Sequence, residues 1–315
     1  MARRLLAVHA HPDDESSKGA ATYAHYRSLG DEVLVVSCTG GERGDVQNQG
    51  LPANELAMAE RDMAGLRRIE MSRAAAAIDI AHRWLGYEDS GLPEGDEPLP
   101  ANCFARIPLQ VSAEPLVGII REFRPHVLVT YDEQGGYPHP DHVRTHELSM
   151  FAWRAAADAR QYPRQGPAWH VPKVYYDRIF NSHRLERVYE AMVDSDHPRR
   201  ADLEELRGWM SGRPFTATTH VPVGDFLEHR DSALRAHASQ VAPDDRFFFW
   251  PNDVQREAWP FEDFELVESS VETTLPEDDL FAGITDAAIT SATAISTATA
   301  ISTDTAISTN TEDTR

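Results

Sequence analysis

The alternation of short apolar runs with longer helical stretches constrains this 315-residue chain more than any other feature. Leu5 to His9, Glu32 to Cys38 (EVLVVSC) and His126 to Tyr131 (HVLVTY) have the length and hydrophobicity of strands buried on both faces, and His82 to Tyr87 reads as a shorter one. Between them, residues 16–30 (SSKGAATYAHYRSLG) read as a helix closed by Gly30, and Asn54 to Ile80 carries Ala, Leu and Met at helical spacing. Pro115 to Phe123 has a helical pattern that ends before Pro125. Strands alternating with helices predict an α/β fold, a mostly parallel, doubly wound, Rossmann-like sheet with helices on both faces.

Beyond Tyr176 the pattern weakens: Phe215 to Val223 reads as a strand and Gly224 to Gln240 as a helix rich in His, Arg and Leu. The expected organisation is a core over residues 1–175, a C-terminal capping region over 176–275 that completes a pocket, and a tail over 285–315. The tail is nearly all Thr, Ala, Ser and Ile, with Ala-Ile-Ser-Thr recurring at 294, 300 and 306. It lacks the turn glycines and stacking partners of a β-helix, so it reads as disordered.

In a doubly wound sheet, ligands sit beyond the carboxyl ends of the strands. The first strand delivers His9-Ala10-His11-Pro12-Asp13-Asp14-Glu15, and the fourth delivers Asp132 to His142 around the pair Gly135-Gly136. A carboxylate in such a turn also serves ordinarily as a helix cap, so Asp13 or Glu15 alone decides nothing. Two clusters of imidazoles and acids at one sheet edge are another matter, because they can converge on a single ion. Zinc takes imidazole nitrogen and carboxylate oxygen, and a catalytic zinc keeps three protein ligands and one open position. The remaining acids and histidine suit a base for the attacking water and a donor to a carbonyl oxygen that becomes negative.

Composition narrows the partners. With 51 acidic against 30 basic side chains and a net charge of -21, the field repels nucleic acid and anionic membranes. Two cysteines, Cys38 and Cys103, are too few for a disulfide framework or a thiolate metal site. The first apolar run, Leu5 to Val8, is too short for a signal peptide or a membrane span. These features imply a cytoplasmic protein that acts on a small molecule.

AHPDDE after the first strand and HPDH after a Gly-Gly-Tyr loop resemble the motifs of the LmbE-like, or GlcNAc-phosphatidylinositol de-N-acetylase, family of zinc amidohydrolases, over roughly residues 3–270. The resemblance implies one Zn2+ per chain, with Fe2+ as a substitute, on His11, Asp14 and His142. It also implies Asp13 as general base, His139 as the group that stabilises transition-state charge, and Asp141 as the residue that orients His139. Tyr137 would reach the carbonyl oxygen, although a loop tyrosine beside two prolines also has an ordinary packing role.

Within the family, ESSKGAAT, CTGGERG and WLGYEDSGLPEGD are similar to the mycothiol branch, and to its S-conjugate amidases rather than its deacetylases, which typically lack a lysine at the position of Lys18. That likeness implies cleavage of mycothiol S-conjugates to a mercapturic acid and glucosaminyl-inositol. The alternatives are deacetylation of N-acetylglucosaminyl-inositol and a related hydrolysis in antibiotic biosynthesis. Lys18, in the first turn of the expected helix, stands against the helix dipole unless a carboxylate or substrate compensates it. Arg67 and Asp89 match positions that hold sugar and inositol hydroxyls in this branch; Arg68 is the neighbour with which Arg67 is most easily confused.

Overall fold

In a computed structural model, residues 2–285 are described except positions 94, 96 and 211. Most of the proposed tail, from residue 286 onward, lies outside the described residues. In chain order the elements are β1 (Arg4–His9), α1 (Asp14–Ser17), α2 (Ala20–Ser28), β2 (Glu32–Thr39), α3 (Ala53–Ala77), β3 (Ala81–Tyr87), α4 (Leu109–Phe123), β4 (Val127–Thr130), α5 (Pro140–Ala157) and β5 (Lys173–Asp177). There follow α6 (Ser182–Asp194), α7 (Arg200–Met210), β6 (Thr219–Pro222), α8 (Leu227–Ala236), α9 (Asn252–Ala258) and β7 (Phe261–Ser269).

Seven strands form one sheet in the order β3-β2-β1-β4-β5-β7-β6. The first five are parallel to one another, whereas β7 runs antiparallel to β5 and β6 antiparallel to β7. Because side chains alternate across a strand, Leu5, Ala7, Val33, Val35, Val127 and Val129 pack under α2, α3 and α8, while Leu6, Val8, Leu34, Val36 and Leu128 pack under α4 and α5. The strand order reverses between β1 and β4, and the crevice beyond their carboxyl ends is where such a sheet takes its ligand.

Several boundaries differ from the sequence expectation for physical reasons. The helix expected over 16–30 is two helices, broken at Gly19, whose φ of +139° and close approach to the Tyr23 ring leave no room for a Cβ and suit only glycine. Lys18 is therefore not in a first helical turn but at the carboxyl end of α1, where a cation is favourable. Asp62 interrupts α3 (φ −156°, ψ 76°), and its carboxylate accepts the Gly65 N–H at 2.8 Å, restarting the helix as a cap does. The helix α4 starts six residues before Pro115: burial of Ala113, Leu116, Val117 and Ile120 outweighs the roughly 3 kcal/mol that an interior proline costs.

The C-terminal region joins the sheet through β6 and β7, and α8 covers one of its faces. Its helices α6, α7 and α9 gather around Leu185, Val188, Met192, Leu203 and Trp250. The strand expected over 215–223 is confined to β6, and the helix expected over 224–240 is a 3₁₀ turn followed by α8, which ends before His237.

Candidate metal centre and active site

Both acid and imidazole clusters meet at the β1/β4 crevice. Ligand atoms of His11, Asp14 and His142 lie within 4.8 Å of one another. His11 Nδ1 is 3.6 Å and His142 Nε2 3.4 Å from Asp14 Oδ2. Tetrahedral ligands about 2.0–2.1 Å from a zinc ion stand about 3.3 Å apart, so the spacing suits one.

The tautomers agree. His142 Nδ1 donates to the Gly135 carbonyl at 2.9 Å, which leaves a lone pair on Nε2, and this buried atom has no hydrogen-bond partner among the described residues. His11 Nε2 lies 3.3 Å from Asp141 Oδ2, an arrangement that places its proton there and frees Nδ1 to face Asp14. The negative charge of Asp14, Asp141 and Asp89 overcomes burial and raises the His11 pKa well above its usual value; the same charge favours a divalent cation. Gly135 permits the fit, since at its φ of +71° a Cβ would come within 2.5 Å of the His142 Cβ. A second triple, His11, His139 and Asp141, is also compact. It is a poorer ligand set, because His139 Nδ1 accepts the Asp141 N–H at 3.1 Å and the Asp141 carboxylate takes both the Ser90 hydroxyl and the Ser90 N–H.

Asp141, expected to orient His139, lies between His139, His11 and Ser90. Its carboxylate faces His11 and Ser90, and only its backbone N–H touches His139. That contact leaves the His139 proton on Nε2, and burial, then His11, push the imidazole pKa down, so His139 is a neutral N–H donor. Its ring stands edge-on to His11 at 4.7 Å, and the Tyr137 ring lies 4.4 Å from His142 and 6.0 Å from His139.

Asp13 occupies a left-handed turn at φ +112°, a conformation that costs a non-glycine residue about 1–3 kcal/mol. Its carboxylate accepts Arg67 Nη2 at 2.5 Å. Burial raises its pKa against the pull of that guanidinium, which moves it toward what a base near neutrality needs. Lys18 Nζ is 2.6 Å from Asp14 Oδ1; burial alone would raise the Asp14 carboxyl, but Lys18 and His142 hold it well below its usual range.

Arg67 and Asp89, expected to hold sugar and inositol hydroxyls, both lie at the site, Arg67 against Asp13 and Asp89 beside His11. The Arg67 guanidinium is buried behind Asp13, donating to Asp13, the Pro12 carbonyl and, at 3.2 Å, the Gly41 carbonyl. Asp89 is buried too, accepting Gly91 N at 2.7 Å and Arg43 N at 3.2 Å, with Oδ1 3.7 Å from His11 Nε2. Both brace the site from behind, and neither lines the open cavity.

That cavity, of about 850 Å3, is bounded on one side by Asp13, Asp14, Lys18 and Tyr137. Its other side carries Phe180, Met210, Leu234, Val241, Phe247 and Phe248. Asp177 also lines it, a carboxyl at the end of β5 that burial pushes up to about 7. Sequence reasoning misses this residue because KVYYD opens on a lysine and does not read as a buried strand; taken as one, it brings Asp177 under the strand-end rule.

The profile of the PIG-L (GlcNAc-PI de-N-acetylase) family matches residues 6–153. The chain is similar to a mycothiol S-conjugate amidase of Streptomyces coelicolor, 50% identical over 90% of this chain and 98% of that one. It is 37% identical to a 1D-myo-inositol 2-acetamido-2-deoxy-alpha-D-glucopyranoside deacetylase of Catenulispora acidiphila, over 92% of each chain. Among solved structures, the N,N'-diacetylchitobiose deacetylase of Pyrococcus horikoshii has the same fold, with a TM-score of 0.56 at 20% identity over 85% of this chain and 84% of that one. The family profile, falling on both metal-site clusters, and two relatives aligned along nearly their whole length establish that the chain belongs to the GlcNAc-PI de-N-acetylase family.

Proposed function

We propose that this protein is a zinc-dependent amidase that hydrolyses mycothiol S-conjugates to an N-acetylcysteine S-conjugate and glucosaminyl-inositol. One observation carries the reading: 50% identity spans 98% of a mycothiol S-conjugate amidase, against 37% for a deacetylase of the same amino sugar. The second reading, deacetylation of N-acetylglucosaminyl-inositol, is supported by that 37% likeness over an equally long alignment.

His11, Asp14 and His142 would hold the ion. Bound there, zinc supplies Lewis-acid polarisation of the amide carbonyl and makes water more acidic. The Asp13 carboxylate takes a proton from the attacking water and returns it to the departing amine nitrogen, so that one water yields one acid and one amine. His139 Nε2–H and the Tyr137 hydroxyl donate to the carbonyl oxygen as it gains charge. Lys18 holds the second oxygen of Asp14, and Asp141, with Ser90 behind it, holds His11 in its tautomer.

No helix among the described residues is long and apolar enough to cross a membrane. A small soluble substrate in an aqueous compartment fits the net charge of -21. The deciding assay compares kcat/KM for a fluorescent mycothiol S-conjugate with that for N-acetylglucosaminyl-inositol, using zinc-loaded protein. A higher value for the conjugate is expected; a higher value for the acetylated sugar would establish the deacetylase reading instead.

A further inference from the structure

The turn that presents Asp13 is held by two buried residues that carry no part of the chemistry above. Asp13 N–H donates to Glu15 Oε2 at 2.9 Å, and at a φ of +112° this bond opposes relaxation of the turn. Glu15 is fully buried, and its other oxygen accepts the Ser16 hydroxyl at 2.5 Å and His237 Nε2 at 2.8 Å. His237, also fully buried, caps the carboxyl end of α8, 222 residues further along the chain. Its Nδ1 has no hydrogen-bond partner among the described residues, so the one polar contact its ring makes is to Glu15. A buried imidazole with one nitrogen unsatisfied is costly, and a purely structural position is better filled by an apolar side chain.

The far end of the contact is itself fixed. Ser239 N and Oγ both donate to Glu70 on α3, each at 2.7 Å, and Gln47 N donates to the Ser239 carbonyl at 2.9 Å. Gln240 N and Val241 N both donate to the His237 carbonyl at 2.9 Å, and Leu234, Gln240 and Val241 line the cavity. His237 thus joins the substrate-facing wall of the C-terminal region to the Asp13 turn.

We propose that His237, acting through Glu15, is a positioning residue for Asp13: it fixes the Glu15 carboxylate, which fixes the backbone of Asp13 and so the direction in which the Asp13 carboxylate meets water. The proposal rests on the reading of Asp13 as the base. Substituting partners of this kind behind an active group typically costs about 10–100-fold in activity. Because the clamp acts on orientation of the base and not on substrate contacts, the loss falls on kcat.

The test is a set of variants assayed as zinc-loaded full-length chains on whichever of the two amides is turned over. His237→Leu lowers kcat by about 10-fold or more with KM and bound zinc unchanged, whereas His237→Gln, whose amide N–H reaches Glu15, stays within about 3-fold of the parent. On an Asp13→Asn background, His237→Leu costs nothing more, because the oriented group is already gone. Parental kcat for His237→Leu, equal impairment by Leu and Gln, or a fully additive loss with Asp13→Asn would each overturn the clamp. Should His237→Leu not fold, His237→Asn replaces it, an amide too short to reach Glu15; equal kcat for Gln and Asn overturns the proposal. Asp13→Asn at parental kcat is a separate failure, since it removes Asp13 as the base and with it what the clamp holds.

Discussion

Along the β1 and β4 edge, the cavity wall presents Lys18, Asp14 and Asp13, ionisable groups tied to one another and to partners behind them: Lys18 with Asp14, Asp13 with Arg67, and, deeper, His11 with Asp141. Across from it, the wall supplied by α7, α8 and the segments beside them carries an apolar patch, with the Phe180 and Phe247 rings stacked 4.8 Å apart at 27°, beside polar groups such as Asn181, Arg213 and Gln240. The two walls divide the work that an amide hydrolase needs. The first is buried and mutually hydrogen-bonded, so its geometry is fixed before substrate arrives. The apolar patch of the second contributes surface without directional bonds, which selects among substrates by shape and area and not by reaction.

If that division holds, damage to the first wall stops every substrate alike. The largest effect is expected at the ion: His11→Ala, Asp14→Ala or His142→Ala each removes one of three protein ligands, and should abolish turnover together with bound zinc measured by elemental analysis. Full zinc occupancy in any two of these variants would break the ligand set. Next is Asp13→Ala, which should keep its zinc and lose about 100-fold or more in kcat on both the conjugate and the acetylated sugar. A loss confined to one substrate would mean that Asp13 contacts substrate instead of water.

The same contrast governs what can be read in the sequence. The candidate metal triple and the neighbouring Asp13 stand out in the sequence because each cluster is contiguous: a buried strand ends and the acids and imidazoles follow within a few residues, as in AHPDDE. The parallel strands are legible for the same reason, since a strand buried on both faces is an uninterrupted apolar run. The strand β7 (FEDFELVES) is not, because it alternates acids with apolar residues at the antiparallel side of the sheet. Nor are the partners of the site. Arg67 also pairs with Asp13, and nothing local to an arginine announces a carboxylate 54 residues away. The link from Glu15 to His237 spans 222 residues and leaves no local trace.

A smaller effect is expected at Lys18, where the structure sharpens the sequence reading. Its ammonium is 2.6 Å from Asp14 Oδ1, so it acts on a ligand of the ion before it acts on any substrate group. Lys18→Ala should therefore lower kcat/KM by about 10-fold, or about 1.4 kcal/mol, for the conjugate and the acetylated sugar alike. A selective loss on the conjugate would move Lys18 from the first wall to the second and restore it as a specificity residue.

The smallest effect is expected on the second wall, and it is the one that separates the two walls most sharply. The Phe247 ring stacks on Phe180 and meets Phe248 edge-on at 5.0 Å, and all three border the cavity beside the apolar side chains of Met210 and Leu234. Truncating it to alanine removes part of the area a large apolar group would cover while leaving every bond around Asp13, Asp14 and His142 in place. A ring that contributes to ground and transition states equally changes KM and leaves kcat alone. Phe247→Ala should raise KM by about 5-fold, equivalent to about 1 kcal/mol, for a conjugate whose sulfur bears a flat aromatic group. KM for N-acetylglucosaminyl-inositol, which has no such group, should stay the same, as should kcat for both. An equal rise in KM for both substrates would place the sugar, not the sulfur substituent, against this wall; a fall in kcat would mean that the apolar wall also orients the reacting amide, and the division between the two walls would fail.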